Sequence, residues 1–472
     1  MRYYYTAEQI RAAEAPLLAA LPYGALMRRA ATALANAIAA ELRRRTGCVT
    51  GRRICAVVGA GNNGGDALWA ATLLRRRGVA ASAILLNPER THEPALRAFR
   101  SAGGRVVQNL PAATDLVIDG VVGISGQGPL RPAAAAVFAA VETAGIPVVA
   151  VDIPSGVDVQ TGAISGPAVR AALTVTFGGL KPVHALADCG RVELVDIGLD
   201  LAPTDLVEFE ADDVRVRWPT PGPRDDKYTQ GVVGVLAGSA IYPGAAILCT
   251  GAAVAATSGM VRYAGPAAAE VVSHWPEVVI APSASAAGRV QAWVVGPGLG
   301  TDEAALMALT FALASDLPVI VDADGLTVLA AHPHLVTRRD APTVLTPHAG
   351  EYARLAGASP GEDRVAAARR LADAFGATVL LKGNVTVIAG SGITFLNPAG
   401  ASWAATAGSG DVLSGIIGAL LAAGLPPAEA AAAAAFVHTR AANASAADPG
   451  PVPVPTSASR ILTHIRHAIA NL

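Results

Sequence analysis

Short apolar runs that end in loops of glycine, asparagine, aspartate and proline recur through both halves of this chain, and this pattern narrows the folds open to it. Arg53-Ile-Cys-Ala-Val-Val58 leads into Gly59-Ala-Gly-Asn-Asn-Gly-Gly-Asp66 and then a helical stretch to Arg77. Leu116-Val-Ile-Asp-Gly120 leads into Gly123-Ile-Ser-Gly-Gln-Gly-Pro129, and Pro147-Val-Val-Ala-Val-Asp152 into Ile-Pro-Ser-Gly-Val-Asp158. Ala172-Leu-Thr-Val-Thr-Phe177 leads into Gly-Gly-Leu-Lys-Pro182. Such runs, rich in branched residues and bounded by turn formers, read as strands. Strands alternating with helices predict a parallel sheet with helices on both faces. Ligands of such sheets bind beyond the carboxyl ends of the strands. Asn63, Asp119, Gly123, Asp152 and Ser155 all fall there. Any one of these acids would ordinarily cap a loop; together they point to a site.

The chain has 472 residues, too many for one ordinary core, so two or three domains are expected. With 52% apolar and 15% charged residues it is a globular chain. A net charge of −1 gives no basic footprint for nucleic acid or an anionic membrane. Arg43-Arg44-Arg45 and Arg75-Arg76-Arg77 read as solvated helix ends. Thr6 followed by Ala-Glu-Gln-Ile reads as a helix N-cap, and a second helix is expected from about Gly24 to Arg44. The four cysteines form no C-x-x-C pair and fit a reducing compartment. No apolar leader opens the chain, so a cytoplasmic location is expected. Tyr228 to Val261 is free of charge, but its six glycines and one proline suit a strand, a glycine loop and a buried helix better than a membrane span. Residues 211–227, rich in proline and charge, read as a linker between domains spanning 1–210 and 228–472.

In the first half, Gly59, Gly61 and Gly64 match G-x-G-x-x-G, so a dehydrogenase-type dinucleotide fold has to be weighed. The following strand, Ala83-Ile-Leu-Leu86, ends at Asn87 and not at an acid able to hold a ribose, and Glu89 lies past a proline. More distinctive are the two amides and the carboxylate of Asn62-Asn63-Gly64-Gly65-Asp66, which offer hydrogen bonds to a polar ligand and oxygens to a hard cation.

In the second half, Thr406-Ala-Gly-Ser-Gly-Asp-Val-Leu413 joins an irregular segment to a helix whose Val412, Leu413, Ile416, Ile417, Leu420 and Leu421 share one face. Gly408 and Gly410 leave amides uncovered where the helix dipole attracts an anion. A carboxylate at Asp411 suits a hydroxyl losing its proton while a phosphoryl group arrives beside it. The alternative is an N-cap made by Ser409 or Asp411. Strands ending at Gly296-Pro-Gly-Leu-Gly300, Asp322-Ala-Asp-Gly-Leu326, Pro347-His348-Ala-Gly-Glu351 and Lys382-Gly-Asn-Val-Thr386 predict a second α/β domain. Alone, His348 is as well explained as a satisfied core histidine, and Lys382 as a salt-bridged lysine ending a strand.

N-N-G-G-D after a strand, then V-I-D-G, G-I-S-G-Q-G-P and D-I-P-S-G-V-D, resembles the NAD(P)H-hydrate epimerase domain over about residues 1 to 210. That resemblance implies a Rossmann-like fold, exchange of the R and S forms of hydrated NADH or NADPH, and a potassium ion. It places the hydrated cofactor on Asn62, Asn63, Gly64, Gly65 and Asp66, on Gly123, Ile124, Ser125, Gly126, Gln127, Gly128 and Pro129, and on Asp152. It places potassium on Asn63, Asp119 and Ser155. Epimerisation needs water to leave and return through a flat iminium-like ring, and Asp152 is the expected proton carrier. One departure is Ala67, where the family usually has glycine; a methyl is tolerated there if the residue is helical.

Over about 228 to 472 the ordered motifs Y-P-G-A, G-P-G-L-G, D-A-D-G-L, T-P-H-A-G-E, L-K-G-N-V-T and A-G-S-G-D resemble the ADP- or ATP-dependent NAD(P)H-hydrate dehydratase, a ribokinase-like enzyme. The whole is therefore expected to be α/β, as two three-layer αβα domains. The resemblance puts the hydrated cofactor on Ala245, Gly298, His348 and Asp411. It puts the nucleotide on Lys382, Gly383, Asn384, Val385, Thr386 and Gly410, with magnesium accompanying ADP or ATP. Asp411 is the expected catalytic base. Three other readings stand beside this one: a vitamin-type kinase releasing its phosphorylated alcohol intact, a dehydrogenase, and a first domain that only binds partners. The choice of ADP or ATP and the oligomeric state stay open, with the Ala-rich C-terminal helix the segment for any subunit interface.

Overall fold

A computed structural model describes residues 1–124, 126 and 128–472. Its contacts divide the chain into two compact units, Tyr3–Thr204 and Asp205–Leu472, the latter with Met1–Arg2.

In the first unit Arg53–Val58 alternates strictly between two cores. Ile54, Ala56 and Val58 face the helices Ala25–Thr46 and Asn62–Arg76. Cys55 and Val57 face Phe138 and Val141 of the helix Pro132–Thr143. Both faces are buried, which is why this strand reads as an unbroken apolar run. The parallel sheet runs Arg105–Val106, Ala80–Leu85, Arg53–Val58, Leu116–Gly120, Val148–Val151, Leu173–Phe177, Arg191–Val195. The order reverses between Arg53–Val58 and Leu116–Gly120, the place where doubly wound sheets open a ligand crevice. Thr6 caps the helix Ala7–Ala20 in a capping box with Gln9. Arg43, Arg44 and Arg45 at the end of Ala25–Thr46 are exposed, as expected, and two of them also pair with a buried acid. Arg44 and Arg45 lie 2.6 and 2.5 Å from the buried Glu41, and Arg191 lies 3.3 Å from it. The hydrogen bond from Arg44 leads the effects that bring the Glu41 carboxyl down to about 2.

In the second unit the sheet runs Leu206–Glu208, Ile393–Pro398, Val385–Gly390, Thr378–Leu381, Thr343–Leu345, Val319–Val321, Ala292–Val295, Val232–Leu236, Met260–Tyr263, Val279–Ile280. It is parallel except for the pairings that Val385–Gly390 makes with its neighbours. The order reverses at Val232–Leu236. The helix Ser409–Ala422 is buried along most of its length against the helix Pro243–Ala256. Gly415 permits the approach, because a Cβ there would lie 2.2 Å from the Cys249 carbonyl oxygen.

Residues 211–227 do not form the expected linker throughout. They open with a helix, Ala211–Arg215, and Val214 and Trp218 are buried in the second unit's core. The Trp218 indole donates to the Ala256 carbonyl at 3.0 Å. A tryptophan and a valine among prolines and charges anchor the segment, and the units divide at Thr204 and Asp205 instead. The charge-free run is a strand, a loop and a helix, and no helix among the described residues is long and apolar enough to cross a membrane. All four cysteines are free, with only Cys48 exposed.

Candidate active sites

In the first unit a cavity of about 820 Å³ opens where the strand order reverses, lined by Arg11, Glu14, Asn62, Asn63, Asp66, Gly123, Asp152 and Lys181, among others. Asn62 to Asp66 do not stay in a loop but form the first turn of Asn62–Arg76. Gly61, with φ +94°, turns the chain into the helix, and no side chain caps it. The first-turn amides are left for an anionic ligand. A Cβ on Gly59 would lie 2.1 Å from the Val121 carbonyl oxygen, so only glycine lets the loops after the two central strands touch. Ala67 is helical and buried, and its methyl faces Gly120, where a second methyl would be 2.5 Å away. The departure at this position is thus absorbed by packing and leaves the loop shape alone.

Asp152 stands at the cavity wall with φ +69°, one of two non-glycine residues with positive φ among those described. Such strain persists only where the surroundings over-determine the position. Here Lys181 Nζ lies 2.6 Å from Asp152 Oδ1, and the Thr176 hydroxyl donates to the same oxygen at 2.9 Å. Lys181 also donates to Thr176 Oγ1 and the Phe177 carbonyl, so its three protons are all used. His184 Nδ1 accepts from the Lys181 amide at 2.9 Å, which leaves Nε2 to donate to the Asp152 carbonyl at 2.8 Å. Burial, then the charge of Lys181, lowers His184 to about 4, so the ring is neutral. Burial alone would raise the Asp152 carboxyl, but Lys181, His184 and Thr176 outweigh it and hold it below its ordinary value. Asp66 is the opposite case. Its Oδ1 is buried with no hydrogen-bond partner among the described residues, and burial, then the charges of Asp152 and Glu14, pushes it well above the usual range.

Of the residues expected to hold a cation, Asp119 accepts from the Ser155 amide at 2.8 Å and the Ser155 hydroxyl at 2.7 Å. Ser155 Oγ in turn accepts from the Val122 amide at 3.0 Å. No basic side chain pairs with Asp119 among the described residues, and burial raises it to about 6. Asn63 lies close by: a Cβ on Gly123 would be 3.2 Å from its amide oxygen, and its amide nitrogen is buried without a partner. Gly123, Ile124, Gly126, Gly128 and Pro129 line the cavity; Ser125 and Gln127 lie outside the described residues. Thr176, Lys181, His184 and Glu14 were not expected from sequence. Lys181 had a signal, since it sits in a Gly-Gly-Leu-Lys-Pro loop after a strand.

In the second unit a cavity of about 550 Å³ is lined by Tyr242, Ala245, Gly298, Asp324, Gly408 and Asp411, among others. It too lies where strand order reverses, beside the loops that follow Val232–Leu236 and Ala292–Val295. Gly298, with φ +63°, packs so tightly that a Cβ would be 2.6 Å from the Ala245 methyl. The helix Ser409–Ala422 starts at Gly408, φ +82°, with no side-chain cap. Ser409 instead pairs with the buried His438 at 3.0 Å, so neither it nor Asp411 is the N-cap weighed from sequence. Burial, then the charge of Asp322, raises Asp411 to about 7, against the lowering pull of Lys382.

Lys382 Nζ lies 2.8 Å from Asp322 and 3.6 Å from Glu351, and Ser414 donates to the other Asp322 oxygen at 2.7 Å. A Cβ on Gly410 would be 3.6 Å from Lys382 Nζ, so this lysine reaches the head of the Asp411 helix. The second positive-φ residue, Ala323 at +50°, sits between Asp322 and Asp324. Asn384 holds a neighbouring loop by donating to the Gly400 carbonyl and the Ser402 hydroxyl, both at 3.0 Å. A Cβ on Gly383 would be 2.7 Å from the guanidinium end of Arg364, which donates to the Lys382 carbonyl at 2.8 Å. Val385 opens the strand Val385–Gly390, and the Thr386 hydroxyl donates to the Gly383 carbonyl at 3.3 Å. His348 is half exposed rather than buried, and its Nδ1 accepts from the Gly350 and Glu351 amides as the N-cap of Ala349–Ala356. It reaches the network through Glu351, 3.5 Å away, and does not line the cavity as Ala245, Gly298 and Asp411 do.

Fold and sites together define a two-unit α/β enzyme, with a doubly wound dinucleotide-type half and a half with an anion-ready helix start beside an acid. Comparison with known proteins narrows this. The family model described as NAD(P)H-hydrate dehydratase matches residues 233–464, and that described as YjeF-related protein N-terminus matches 24–183. The bifunctional NAD(P)H-hydrate repair enzyme Nnr of Mycobacterium tuberculosis is 77% identical over 473 residues, covering 100% of both chains. That of Mycobacterium leprae is 73% identical, again over 100% of both. A solved ribokinase-like superfamily protein from Enterococcus faecalis, 24% identical with a TM-score of 0.51, covers 58% of this chain and 98% of its own, and shows the fold of the second half. The chain belongs to the family of bifunctional NAD(P)H-hydrate repair enzymes, with an epimerase half and a dehydratase half.

Proposed function

We propose that the first unit exchanges the R and S forms of hydrated NADH and NADPH and that the second dehydrates the S form with ADP or ATP. The observation that carries the second half is the Asp411 carboxyl. It is poised near 7, lines a cavity and heads a helix whose first amides are uncapped. The ring hydroxyl is a poor leaving group. Asp411 takes its proton as the oxygen attacks the terminal phosphoryl group, and the amides after Gly408 hold the charge that builds there. The ring nitrogen then expels phosphate to give an iminium, and loss of a proton from the neighbouring ring carbon to water restores the dihydronicotinamide. Lys382 and the loop through Gly383, Asn384, Val385 and Thr386 hold the nucleotide with Gly410, while Ala245 and Gly298 position the hydrated ring and His348, outside the cavity lining, contributes through Glu351.

Magnesium suits the phosphates of the nucleotide, whose charge it would neutralise while keeping most of its waters. Among the described residues no three His, Cys, Asp or Glu side chains are grouped to hold a metal. The potassium reading rests on other chemistry: Asn63, Asp119 and Ser155 offer oxygens, and the buried Asp119 has no cationic partner. A bound cation would balance that charge and fix the loops, without entering the reaction. In the epimerase half Asp152 is the proton carrier nearest the ring. A cytoplasmic location completes the proposal; the Ala-rich helix Pro427–Ala447, expected at any subunit interface, packs most of its alanines into the second unit's own core.

The test is to mix the purified protein with hydrated NADPH, nucleotide and magnesium and follow the absorbance of intact NADPH. Full recovery from a mixture of both epimers is expected. Recovery of the S form alone would remove the epimerase half of the proposal, and release of a stable phosphorylated cofactor would replace the dehydratase by a kinase.

A further inference from the structure

Epimerisation demands more of the first cavity than one carboxylate supplies. The hydroxyl leaves one face of the ring and water returns on the other, so a proton must be given on one side and taken on the other. Asp152 meets one of these needs. Its Oδ1 is fixed by Lys181 and Thr176, and Lys181 has spent its three protons, so the lysine cannot act as the donor. His184 cannot serve either, since both its ring nitrogens are committed to backbone groups. Glu14 lies in the same wall but is only partly buried; among the described residues the titratable side chain there with a fully buried, unpartnered atom is Asp66, at its Oδ1. A carboxylate oxygen buried without a donor is costly, and native structures keep few of them. Protonation relieves that cost and makes the group a donor.

Resting on the epimerase reading above, we propose that Asp66 is the second proton carrier of epimerisation, working as a pair with Asp152. In one direction protonated Asp66 gives its proton to the departing hydroxyl. The carbon–oxygen bond breaks, water leaves, and the ring nitrogen's lone pair forms the iminium bond. A water then adds to the other face. Its proton passes to the Asp152 carboxylate, and the iminium electron pair returns to nitrogen. The opposite epimer runs the same path with Asp152 as donor and Asp66 as acceptor, and between turnovers of one epimer the proton returns from Asp152 to Asp66 through water, so nothing is oxidised or reduced and water is the one other reactant. The environments of the two acids favour this resting assignment, since burial and the charges of Asp152 and Glu14 keep Asp66 neutral while Lys181 keeps Asp152 ionised. Two acids driven apart by their surroundings are the usual mark of an acid and base pair.

Asp66→Asn keeps the volume and removes the proton. The expected result is an epimerisation kcat lower by about 100-fold or more, with KM and the binding of intact NADPH changed by less than about threefold and dehydration of the S form by the same chain unchanged. Asp66→Glu, which restores a carboxyl, should regain part of the rate. An epimerisation kcat within about threefold of the parent would overturn the inference, as would a loss of NADPH binding matching the loss of rate. Asp152→Asn separates the two levels. If the parent epimerises, Asp152→Asn is inactive and Asp66→Asn is not, then only the role of Asp66 fails; if the parent does not epimerise, the reading beneath it fails.

Discussion

The two cavities are built alike and charged differently. Each opens where a doubly wound sheet reverses its strand order and each has an uncapped helix start; of the two non-glycine residues with positive φ among those described, Asp152 lines the first cavity and Ala323 precedes Asp324 in the lining of the second. In the first the strained residue is an acid, Asp152, clamped by a buried lysine and held ionised. In the second the strain lies at Ala323, between Asp322 and Asp324, and the lysine is spent on Asp322, leaving Asp411 near 7. A lysine placed on the working acid keeps that carboxylate ionised at rest, suited to a reversible exchange shared with a neutral partner. A lysine placed on its neighbour leaves an acid that takes a proton and gives it back near neutral pH. One scaffold thus serves two chemistries through the placement of a single cation.

Removing that cation from the first cavity should break the comparison most sharply. Lys181→Met leaves Asp152 buried and unpaired, and epimerisation should fall by about 100-fold while dehydration of the S form stays within about twofold. Loss of one partner of a buried pair also costs roughly 3–5 kcal/mol, so the first unit should melt earlier by calorimetry. An unchanged epimerase would mean that Asp152 does not depend on its lysine.

A smaller effect lies in the pH dependence of the second half. If Asp411 is the base, as proposed, dehydration at limiting substrate should rise with pH through about 7 and level off above it. Lys382 lowers the Asp411 carboxyl, so Lys382→Met should move that limb upward by about one unit. A rate limb that stays put in the variant would separate the lysine from the acid.

The smallest effect concerns potassium. Asp119 is raised to about 6 in the folded chain, above the range of an exposed aspartate. The folded state therefore holds this proton more tightly, and stability from this group falls as pH rises from about 4 to 6. A cation on Asn63, Asp119 and Ser155 would reverse that loss. Potassium in place of tetramethylammonium should raise the melting temperature by a few degrees at pH 8 and by less at pH 5, on the order expected for a weakly bound ligand. An equal rise at both values would point to a general salt effect.

Much of this arrangement was legible in the sequence because strands buried on both faces read as apolar runs, and runs that stop at glycine mark the sheet edge where ligands bind. Asp411 could be found because an acid behind two glycines at a helix start is out of place as a mere cap. What was missed depended on contacts the chain makes only after folding. Lys181 meets Asp152 across a separation of 29 residues, and no local pattern announces that pair. The strand Val385–Gly390 pairs antiparallel with both its neighbours, Thr378–Leu381 and Ile393–Pro398, and a motif that ends at Thr386 carries no sign of the chain turning back into the sheet. Trp218 was hidden in a stretch whose prolines and charges look like a linker, although its indole is buried. His348 was read by its motif, while its own position before Ala349–Ala356 makes it a helix cap as well.

The most direct test crosses the two acids in one assay. Recovery of NADPH absorbance from a fresh mixture of both hydrated epimers, with ADP or ATP and magnesium, is measured for the parent, Asp152→Asn and Asp411→Asn. The account predicts full recovery for the parent, prompt recovery of the S fraction alone for Asp152→Asn, and a rate lower by about three orders of magnitude for both fractions in Asp411→Asn. Near-parent recovery by Asp411→Asn, or loss of the S fraction in Asp152→Asn, would contradict it.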